Sequence, residues 1–515
     1  MTEQPSSHWK PSRIESDRLE KLKTLKEQNV EAYPARVERT HTTAQAINVY
    51  TEHRNNGGTD ETAPTVTVCG RIRRMNIKGK IAFMHIEDQS GRVQLFVRVN
   101  DIQEADYALL KDKLIDMDDF VQARGQMMAT QAGEISVRVV SLTLLAKSLS
   151  PLPLIKEQTL DDGTVIEYGE FNNVEARYRQ RYADLAVNRD VREVFIKRAK
   201  VVNAIRHFMD GEGFLEVETP ILQPLYGGAA ARPFTTHHNQ LKQDLYLRIS
   251  FELYLKRLLV GGIDAVYEIG RDFRNEGVSF KHNPEFTQIE FYKAYIDYTH
   301  VADLTERMVA HACMQINGTT VIDYQGESLD LTPPWKRITL REAIKQDSGI
   351  DYMDHLDAVS LTQAIRERGG KVADGLTWGR LVDHLLSEYV EPKLRQPTFL
   401  LDYPRDISPF AKRVDYDDFH VERFEGYIAG MEMCNAFTEL NDPLDQEQRF
   451  LDMAQMYASG DDEETPLDED YLRAMRYGMP PNGGFGMGID RLTMLLTNQR
   501  NIRDVLLYPH LREEK

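Results

Sequence analysis

The side chains best suited to chemistry lie between residues 273 and 295, which read FRNEGVSFKHNPEFTQIEFYKAY. Two alternating apolar runs flank a loop there, and because successive strand side chains point to opposite faces, the polar members of both runs share one space. Those members and the polar residues of the loop are Arg274, Glu276, Lys281, His282, Asn283, Glu290 and Tyr292. Carboxylates, a guanidinium and phosphate-seeking donors together indicate activation of an acid by a triphosphate.

A glycine-rich segment, GGFGMGIDRLTML, forms a second candidate site element. Its spacing is not GxGxxG and the preceding RYGMPPN is not a strand, which argues against a dinucleotide-binding loop. Glycines at 483, 484, 486 and 488 instead let a planar ring approach the backbone, and Arg491 in the first turn of the following helix can stack on that ring. Adenine fits this description.

Two glutamates, Glu425 and Glu432, bracket a probable IAG turn. A hairpin there would bring both carboxylates together as oxygen ligands for Mg²⁺ on a triphosphate. Beyond it Asn435, Phe437 and Glu439 alternate on one face. If Glu439 is buried without a protein partner, a ligand cation can supply one. The alternative is that these carboxylates are exposed side chains on neighbouring strands with no ligand. The ligand-binding hypothesis therefore depends on the neighbouring motifs.

Composition limits the class of protein. At 515 residues the chain needs two or more domains, and 28% charged with 41% hydrophobic residues is ordinary for a globular protein. It contains no apolar run of membrane-spanning length and begins with neither a signal nor a transit segment, so a cytoplasmic protein is expected. Three scattered cysteines suggest no disulfide framework or zinc site. A net charge of -18 argues against non-specific coating of DNA or other nucleic acid.

Residues 1–60 form an N-terminal extension that holds a basic helical segment with leucines at 19, 22 and 25. That segment is either a helix docked by its leucines or an RNA-touching face. Residues 61–150 contain five strand-like runs with one helix among them, which suits a five-stranded OB-type barrel. Phe83 could stack an unpaired base, Gln94 could read its edge, and Arg71, Arg73 and Arg74 could contact phosphates, although one aromatic in a barrel is often core.

The remainder indicates an α+β domain. Residues 151–175 are typical of a linker, and residues 176–515 combine helices with a mostly antiparallel sheet. An amphipathic helix is predicted from residue 191 to 209, followed by a short strand in FLEVETP. The acidic run at 461–470 is interpreted as a solvated loop.

At this point the motifs resemble a known family. GFLEVETPIL, FRNEGVSFKHNPEFTQIEFY and GFGMGIDRLTML are similar to motifs 1, 2 and 3 of class II aminoacyl-tRNA synthetases. More narrowly, GGAAARPFTTHHN, RNEG with HNPEFT, and CNAFTELNDP resemble the lysyl-tRNA synthetases. The resemblance covers almost the whole chain from about residue 60.

The resemblance implies a six- or seven-stranded antiparallel catalytic sheet, an OB barrel that binds the tRNA anticodon, and a homodimer formed partly through the motif 1 helix. Such an enzyme joins lysine to ATP, forming lysyl-adenylate and pyrophosphate, and then passes lysine to the 3′ end of its tRNA. Mg²⁺ would be held by Glu425 and Glu432. No membrane or DNA partner is expected.

It also implies roles for the nucleotide side of the site. Arg274 would clamp the lysine carboxylate against the α-phosphate and, with Arg491, act in catalysis. Glu276 and Asn283 would position adenine, and Phe286 and Arg491 would lie on its two faces. Lys281 and His282 would contact the outer phosphates, and Glu425 would reach ATP through the metal.

For lysine, the family pattern places the α-amino group near Gly228 and Glu252. The ε-ammonium would lie among Glu290, Tyr292 and Glu439, with Asn435 and Phe437 lining the pocket. A buried carboxylate site of this kind rejects neutral side chains, because they would leave it unpaired. The expected anticodon contacts are Phe83, Gln94, Arg73, Arg74 and Glu134.

Some positions depart from the family pattern. Lys281 stands where Arg is frequent, and the start of the linker at 160–175 is atypical. Two alternatives remain open: a paralogue that attaches lysine to a non-tRNA acceptor, and a non-catalytic RNA-binding paralogue. The intact barrel argues against the first, and the complete set of candidate catalytic residues argues against the second.

Overall fold

The computed structural model describes residues 9–153, 156–159, 165–168, 171, 173–457 and 467–512, with the backbone alone at 156–159, 165–168 and 453–457. The chain divides into two compact units, Met1–Asn172 and Asn173–Lys515. Most of the acidic run and part of the predicted linker lie outside the described residues. None of the described helices combines the length and apolar character needed to cross a membrane.

The first unit is built on a closed barrel with strand order β1-β2-β3-β5-β4, which confirms the predicted five-stranded OB-type fold. Its elements are α1 (Arg13–Glu27), α2 (Thr43–Asn55), β1 (Thr65–Lys78), β2 (Ile81–Asp88), β3 (Gly91–Arg98), α3 (Glu104–Lys111), β4 (Phe120–Ala129), β5 (Ile135–Ala146) and a hairpin of β6 (Lys156–Thr159) and β7 (Val165–Tyr168). As predicted, one helix lies among the barrel strands.

The period-2 pattern of β2 shows why the sequence closes into a barrel. Ala82, Met84 and Ile86 are fully buried, whereas Phe83 and His85 between them stay partly exposed. Strands with one apolar and one polar face can enclose a core between them and present the other face outward. The face that carries Phe83 is therefore left available for a ligand.

The N-terminal helix α1 docks on the barrel. Leu25 is fully buried, and Arg18 donates hydrogen bonds to the carbonyl oxygens of Ser148 (2.9 Å) and Met117 (3.0 Å). Lys23 and Lys26 remain exposed on its other side. The structure therefore has the docked helix of the two alternatives, and its exposed side carries Asp17 and Glu20 as well as these lysines.

The second unit begins with helices and short strands and continues into a large sheet. Its first elements are α4 (Val174–Arg179), α5 (Arg181–Val187), α6 (Arg189–Gly211), β8 (Leu215–Glu216), β9 (Leu222–Gln223), β10 (Thr235–His238), β11 (Gln243–Leu247), α7 (Glu252–Val260), β12 (Ala265–Phe273), β13 (Glu285–Ala294), α8 (Tyr298–Asn317), β14 (Val321–Tyr324) and β15 (Glu327–Asp330). The later elements are β16 (Lys336–Thr339), α9 (Leu340–Ser348), α10 (Ala358–Glu367), α11 (Trp378–Leu385), β17 (Thr398–Pro404), β18 (His420–Ile428), β19 (Met431–Thr438), α12 (Pro443–Tyr457), α13 (Glu469–Arg476), β20 (Asn482–Gly488) and α14 (Ile489–Leu496).

The sheet has eight strands in the order β16-β17-β18-β19-β20-β13-β12-β8. The six central strands are antiparallel, as the family resemblance implied, and one parallel strand is added at each edge. Strand β16 runs parallel to β17, and β8 runs parallel to β12, because each pair is joined by a long crossover instead of a tight turn. The six strands between these edges are antiparallel.

One face of the sheet packs against helices and the other faces the site. Val201, Ile205 and Met209 of α6 lie in the same core as Phe291 of β13 and Phe485 of β20. This confirms the amphipathic helix predicted at 191–209. Because side chains alternate along β13, the neighbours of Phe291 point to the opposite face, where a cavity opens.

Candidate active site

A cavity of about 480 Å³ lies over the open face of the catalytic sheet. Most of the residues predicted from sequence line it: Gly228, Glu252, Arg274, Glu276, Lys281, His282, Asn283, Phe286, Glu290, Tyr292, Glu432, Asn435, Phe437 and Arg491. Two predicted residues, Glu425 and Glu439, are not part of its lining. The structure therefore brings together side chains that are more than 250 residues apart in the chain.

Strands β12 and β13 place the central side chains through their register. Asp272 pairs with Phe286 and Glu268 pairs with Glu290, so side chains at these positions and at Arg274 share the cavity face. The guanidinium of Arg274 lies 5.1 Å from the centre of the Phe286 ring. A cation on an aromatic face is held by the ring quadrupole while its N–H groups stay free for anions.

Arg491 forms the opposite wall of the nucleotide end. It donates to the backbone oxygen of Glu432 (2.5 Å) and to the Glu432 carboxylate (3.2 Å). Its other terminal nitrogen lies 3.3 Å from His282 Nε2. Burial, together with the positive charges of Arg491 and Lys281, lowers the pKa of His282 to about 4. At neutral pH His282 is therefore an uncharged hydrogen-bonding group.

Asn283 is buried beside this wall. Its amide nitrogen donates to the Glu285 carbonyl at 2.6 Å, whereas its Oδ1 has no hydrogen-bond partner among the described residues. A buried polar oxygen without a partner costs free energy, so a ligand N–H at this position would be stabilising.

Glu290 lies at the amino-acid end of the cavity. Its carboxylate accepts hydrogen bonds from Gln288 (2.6 Å), Ser250 (2.8 Å) and the Tyr292 hydroxyl (3.2 Å). Among the described residues it forms no ion pair. Burial, with the nearby charge of Glu252 added, raises its pKa to about 7. Such a group favours a cationic ligand, which would offset its desolvation.

Glu439 has a protein partner, which the sequence hypothesis did not foresee. The ammonium of Lys256 lies between Glu439 and Glu252, 2.6 Å from the latter, and Lys256 and Glu439 are both fully buried. The hypothesis that Glu439 is buried without a protein partner is therefore wrong, because its carboxylate is already paired with Lys256. The spacing of four residues between Glu252 and Lys256 was the available signal.

The glycines of β20 divide between two tasks. Gly486 and Gly488 line the cavity, as expected if a planar ring approaches the backbone. A side chain at Gly484, however, would overlap the carboxylate of Glu439 and the ring of Tyr292. One at Gly483 would meet Val301 on the core side. Gly483 faces the core because a strand alternates its faces, whereas Gly484 is on the cavity face and leaves room for Glu439 and Tyr292.

The hairpin predicted around residues 425–432 is present, with Ala429 and Gly430 at its turn. Glu425 lies behind the cavity wall, where its carboxylate accepts hydrogen bonds from three side chains: Tyr427 (2.6 Å), Arg423 (2.6 Å) and Tyr403 (2.9 Å). Glu432 is two-fifths exposed and faces the cavity.

These two glutamates also bear on metal binding. Burial, only partly offset by Arg423 and increased by the charge of Glu432, raises the pKa of Glu425 to about 7. The described part of the chain contains no group of three or more metal-binding side chains. Two mutually repelling carboxylates still fit Mg²⁺, which takes only one or two protein carboxylates and fills its remaining positions with phosphate and water.

Several lining residues were missed from the sequence. Gln288 and Ser250 hold Glu290, and Arg423 donates to Asn435 Oδ1 at 2.9 Å, which orients that amide toward the cavity. Gln288 could have been found by extending the alternation of Glu290 by one step. Ser250 and Arg423 carry no such local signal.

The barrel face in the first unit places the predicted anticodon residues as follows. The rings of Phe83 and Phe96 are 5.2 Å apart on paired strands. Gln94 is buried and donates to Glu134 at 2.6 Å, and His85, which was not predicted, lies 2.7 Å from the same carboxylate.

The two predicted arginines of β1 differ in their surroundings. Arg73 forms an ion pair with Asp118 at 3.0 Å, whereas Arg74 is exposed. A bulge between Ile72 and Arg74 separates the two side chains.

Comparisons with known proteins agree with this architecture. Residues 173–512 match the family model described as tRNA synthetases class II (D, K and N), and residues 66–145 match the OB-fold nucleic acid binding domain. The chain is 49% identical over 502 residues to the lysine–tRNA ligase of Chloroflexus aurantiacus, covering 97% of this chain and 98% of that protein. Similar proteins of the same name come from Roseiflexus castenholzii (49%, covering 97% and 98%) and Carboxydothermus hydrogenoformans (46%, covering 98% and 99%).

Proposed function

The chain belongs to the lysine–tRNA ligases of the class II tRNA synthetase family, and on that premise we propose that the sheet cavity is where ATP and lysine react. An enzyme of this family activates lysine as lysyl-adenylate and charges tRNA with it. The single observation that carries the assignment of the site is Glu290. It is a buried carboxylate on the cavity wall that has four hydrogen-bond donors, namely three side chains and the Phe251 backbone N–H, and, among the described residues, no ion-pair partner.

The nucleotide would bind between Phe286 and Arg491. An aromatic face and a guanidinium plane are suitable for the two sides of adenine. The free Oδ1 of Asn283 could accept from the exocyclic amino group, and Glu276 lies at the same end of the cavity. Lys281 would supply the positive charge for the outer phosphates.

At those phosphates His282 has a separate role. Because its pKa is low, it would donate or accept a hydrogen bond without adding a charge.

Arg274 would join the two substrates. Its guanidinium can donate to the lysine carboxylate and to the α-phosphate at once, since it presents a fork of N–H groups. The carboxylate oxygen attacks the α-phosphorus, the bond to the β-phosphate oxygen breaks, and pyrophosphate leaves with its electron pair. Negative charge that develops on the α-phosphate oxygens in between is stabilised by Arg274.

Lysine would lie with its α-amino group at the other end of Arg274. Gly228 has a positive φ of 86°, and a side chain there would come within 2.9 Å of Glu252, so only a glycine lets the substrate amine approach the backbone. The ε-ammonium would bind Glu290 and the Tyr292 hydroxyl, with Phe437 against the methylene chain.

Mg²⁺ is proposed as the metal of the reaction. Glu432 on the cavity wall, supported by Glu425 behind it, would hold the ion. When bound, the ion would neutralise triphosphate charge and fix the orientation of the phosphates.

The remaining partners are also proposals. We propose that the barrel binds the tRNA anticodon, with the rings of Phe83 and Phe96 as the stacking platform and Arg74 near phosphates. We further propose a homodimer formed partly through α6. A cytoplasmic location is supported by the three cysteines, Cys69, Cys313 and Cys434, which are all free thiols.

The proposed site is tested by ATP–pyrophosphate exchange with each of the twenty amino acids and Mg²⁺. Lysine alone should support strong exchange, and subsequent charging should label tRNA and not a protein acceptor. Exchange that is equally strong with a neutral amino acid of similar length would contradict the role of Glu290.

A further inference from the structure

Lys256 lies at the inner end of the proposed lysine pocket. It projects from α7, and its ammonium contacts Glu252 on the same helix and Glu439 just beyond the end of β19. Both acids belong to the sequence-predicted lysine site, yet the cation that joins them comes from the protein. Four aromatic rings surround the ammonium, with centres 5.0 to 6.0 Å away: Phe410, Phe437, Tyr292 and Tyr471.

The formal charges of this pocket balance those of the substrate. Its three carboxylates are Glu252, Glu290 and Glu439, and its two cations are Lys256 and Arg274. One negative charge is left over, and free lysine carries one net positive charge. The complex is therefore neutral, which matters because an unbalanced buried charge is strongly unfavourable.

The neighbouring buried ionisable groups have partners of their own. Arg248 pairs with Glu268 at 2.5 Å, and Arg423 pairs with Glu425 at 2.6 Å. Asp272 is fully buried and lies 3.4 Å from Arg248 Nε, and burial together with the charge of Glu290 raises its pKa well above the ordinary value.

We propose that Lys256 is a specificity-determining residue: its ammonium neutralises Glu252 and Glu439 together and leaves Glu290 as the uncompensated carboxylate for one substrate cation. It acts as a positioning residue, since it reaches the substrate only through the acids it holds. The inference rests on the proposed placement of lysine beside Glu290.

Geometry supports this role over that of an ordinary internal ion pair. A single acid would satisfy a structural lysine, whereas here two acids from separate elements share one ammonium in a space that excludes water. Burial lowers the pKa of Lys256, but the charges of Glu252 and Glu439 raise it by more. Lys256 therefore stays protonated and keeps its positive charge over the working pH range, so that of Lys256 and Glu290 only Glu290 changes its charge near neutral pH.

The test is a double-variant cycle on the full-length enzyme with Lys256→Met, Glu439→Gln and both together, measured by ATP–pyrophosphate exchange. Each single change alters the pocket charge by one unit and should raise the KM for lysine roughly tenfold or more, with the KM for ATP changed less than about twofold. The double variant restores the original charge and should recover most of the loss. A double variant as poor as the worse single variant would overturn the proposal.

Two further measurements keep the outcome unambiguous. If Lys256→Met does not fold, as judged by its thermal unfolding, Lys256→Gln and its double with Glu439→Gln take its place. Glu290→Gln is measured in parallel. If Glu290→Gln raises the lysine KM while the cycle is simply additive, the role of Lys256 is refuted and the site stands. If Glu290→Gln has no effect, the placement of lysine fails and the inference fails with it.

Discussion

The guanidinium of Arg274 lies 5.1 Å from the centre of the Phe286 ring, on the face of the sheet where both residues line the cavity. Its Nε also lies 3.4 Å from the carbonyl oxygen of Ile249, a long contact that ties the side chain to the segment before α7. The cation is thus held between the proposed adenine position and the proposed lysine position before either substrate arrives. Such preorganisation avoids a reorganisation cost during the reaction.

Replacing Arg274 with alanine should therefore reduce lysine-dependent ATP–pyrophosphate exchange by about 100-fold or more, since it removes a charged donor from the transition state. Arg271→Ala is the matched control. Arg271 lies on β12, three residues before Arg274, is 43% exposed and forms an ion pair with Glu285, so the exchange rate of this variant should stay close to that of the wild type. Equal rates for Arg274→Ala and the wild type would remove Arg274 from the mechanism.

Gly484→Ala should damage the lysine pocket specifically. Its Cβ would overlap the Glu439 carboxylate and the Tyr292 ring, which must then shift. Overpacking of this kind costs about 1–3 kcal/mol of stability, and the lysine KM should rise more than the ATP KM. Gly211→Ala at the end of α6 meets nothing within 4 Å and serves as the control. A Gly484→Ala enzyme with a normal lysine KM would show that these side chains do not contact the substrate site.

The lysine KM should depend on pH through Glu290. Its pKa is raised to about 7, so below that pH the free enzyme carries a proton on Glu290 that must leave before the ammonium binds. The KM should rise by up to about tenfold for each pH unit below 7 and level off above it. Glu290→Gln should abolish this dependence, and the ATP KM measured over the same range should not follow it. A lysine KM that stays flat from pH 5.5 to 8.5 would contradict the assignment.

Phe83→Ala should weaken tRNA charging and leave exchange unchanged. Loss of one stacking ring is worth about 1–3 kcal/mol, which corresponds to roughly five- to 150-fold in the KM for tRNA. Arg92→Ala is the control, because Arg92 is 57% exposed and pairs with Glu87 elsewhere on the barrel. If exchange falls together with charging, Phe83 supports folding and does not read the anticodon.

Much of the site could be predicted because it is local in sequence. Alternation along two neighbouring strands is enough to place Arg274, Glu290 and Tyr292 on one face. The barrel followed equally from five short runs of alternating residues. Antiparallel hairpin geometry also located the turn at Ala429 correctly.

The parts that could not be predicted depend on distant contacts. Lys256 reaches Glu439 across 183 positions of the chain, and Tyr403 reaches Glu425 from another strand, so neither partner leaves a periodic signal. A buried carboxylate looks the same in sequence whether its partner is a substrate or a lysine of the same protein. The parallel edge strands were missed for the same reason, since crossover connections are decided by the packing of the whole domain.

The central claim is that Glu290 binds the ε-ammonium of lysine, and direct calorimetric titration of lysine and norleucine into the wild type and Glu290→Gln tests it most directly. Norleucine has the same main-chain groups and a neutral side chain of similar length. The wild type should bind lysine and not norleucine, and Glu290→Gln should lose lysine affinity by about 100-fold. Undiminished lysine binding by Glu290→Gln would contradict the account.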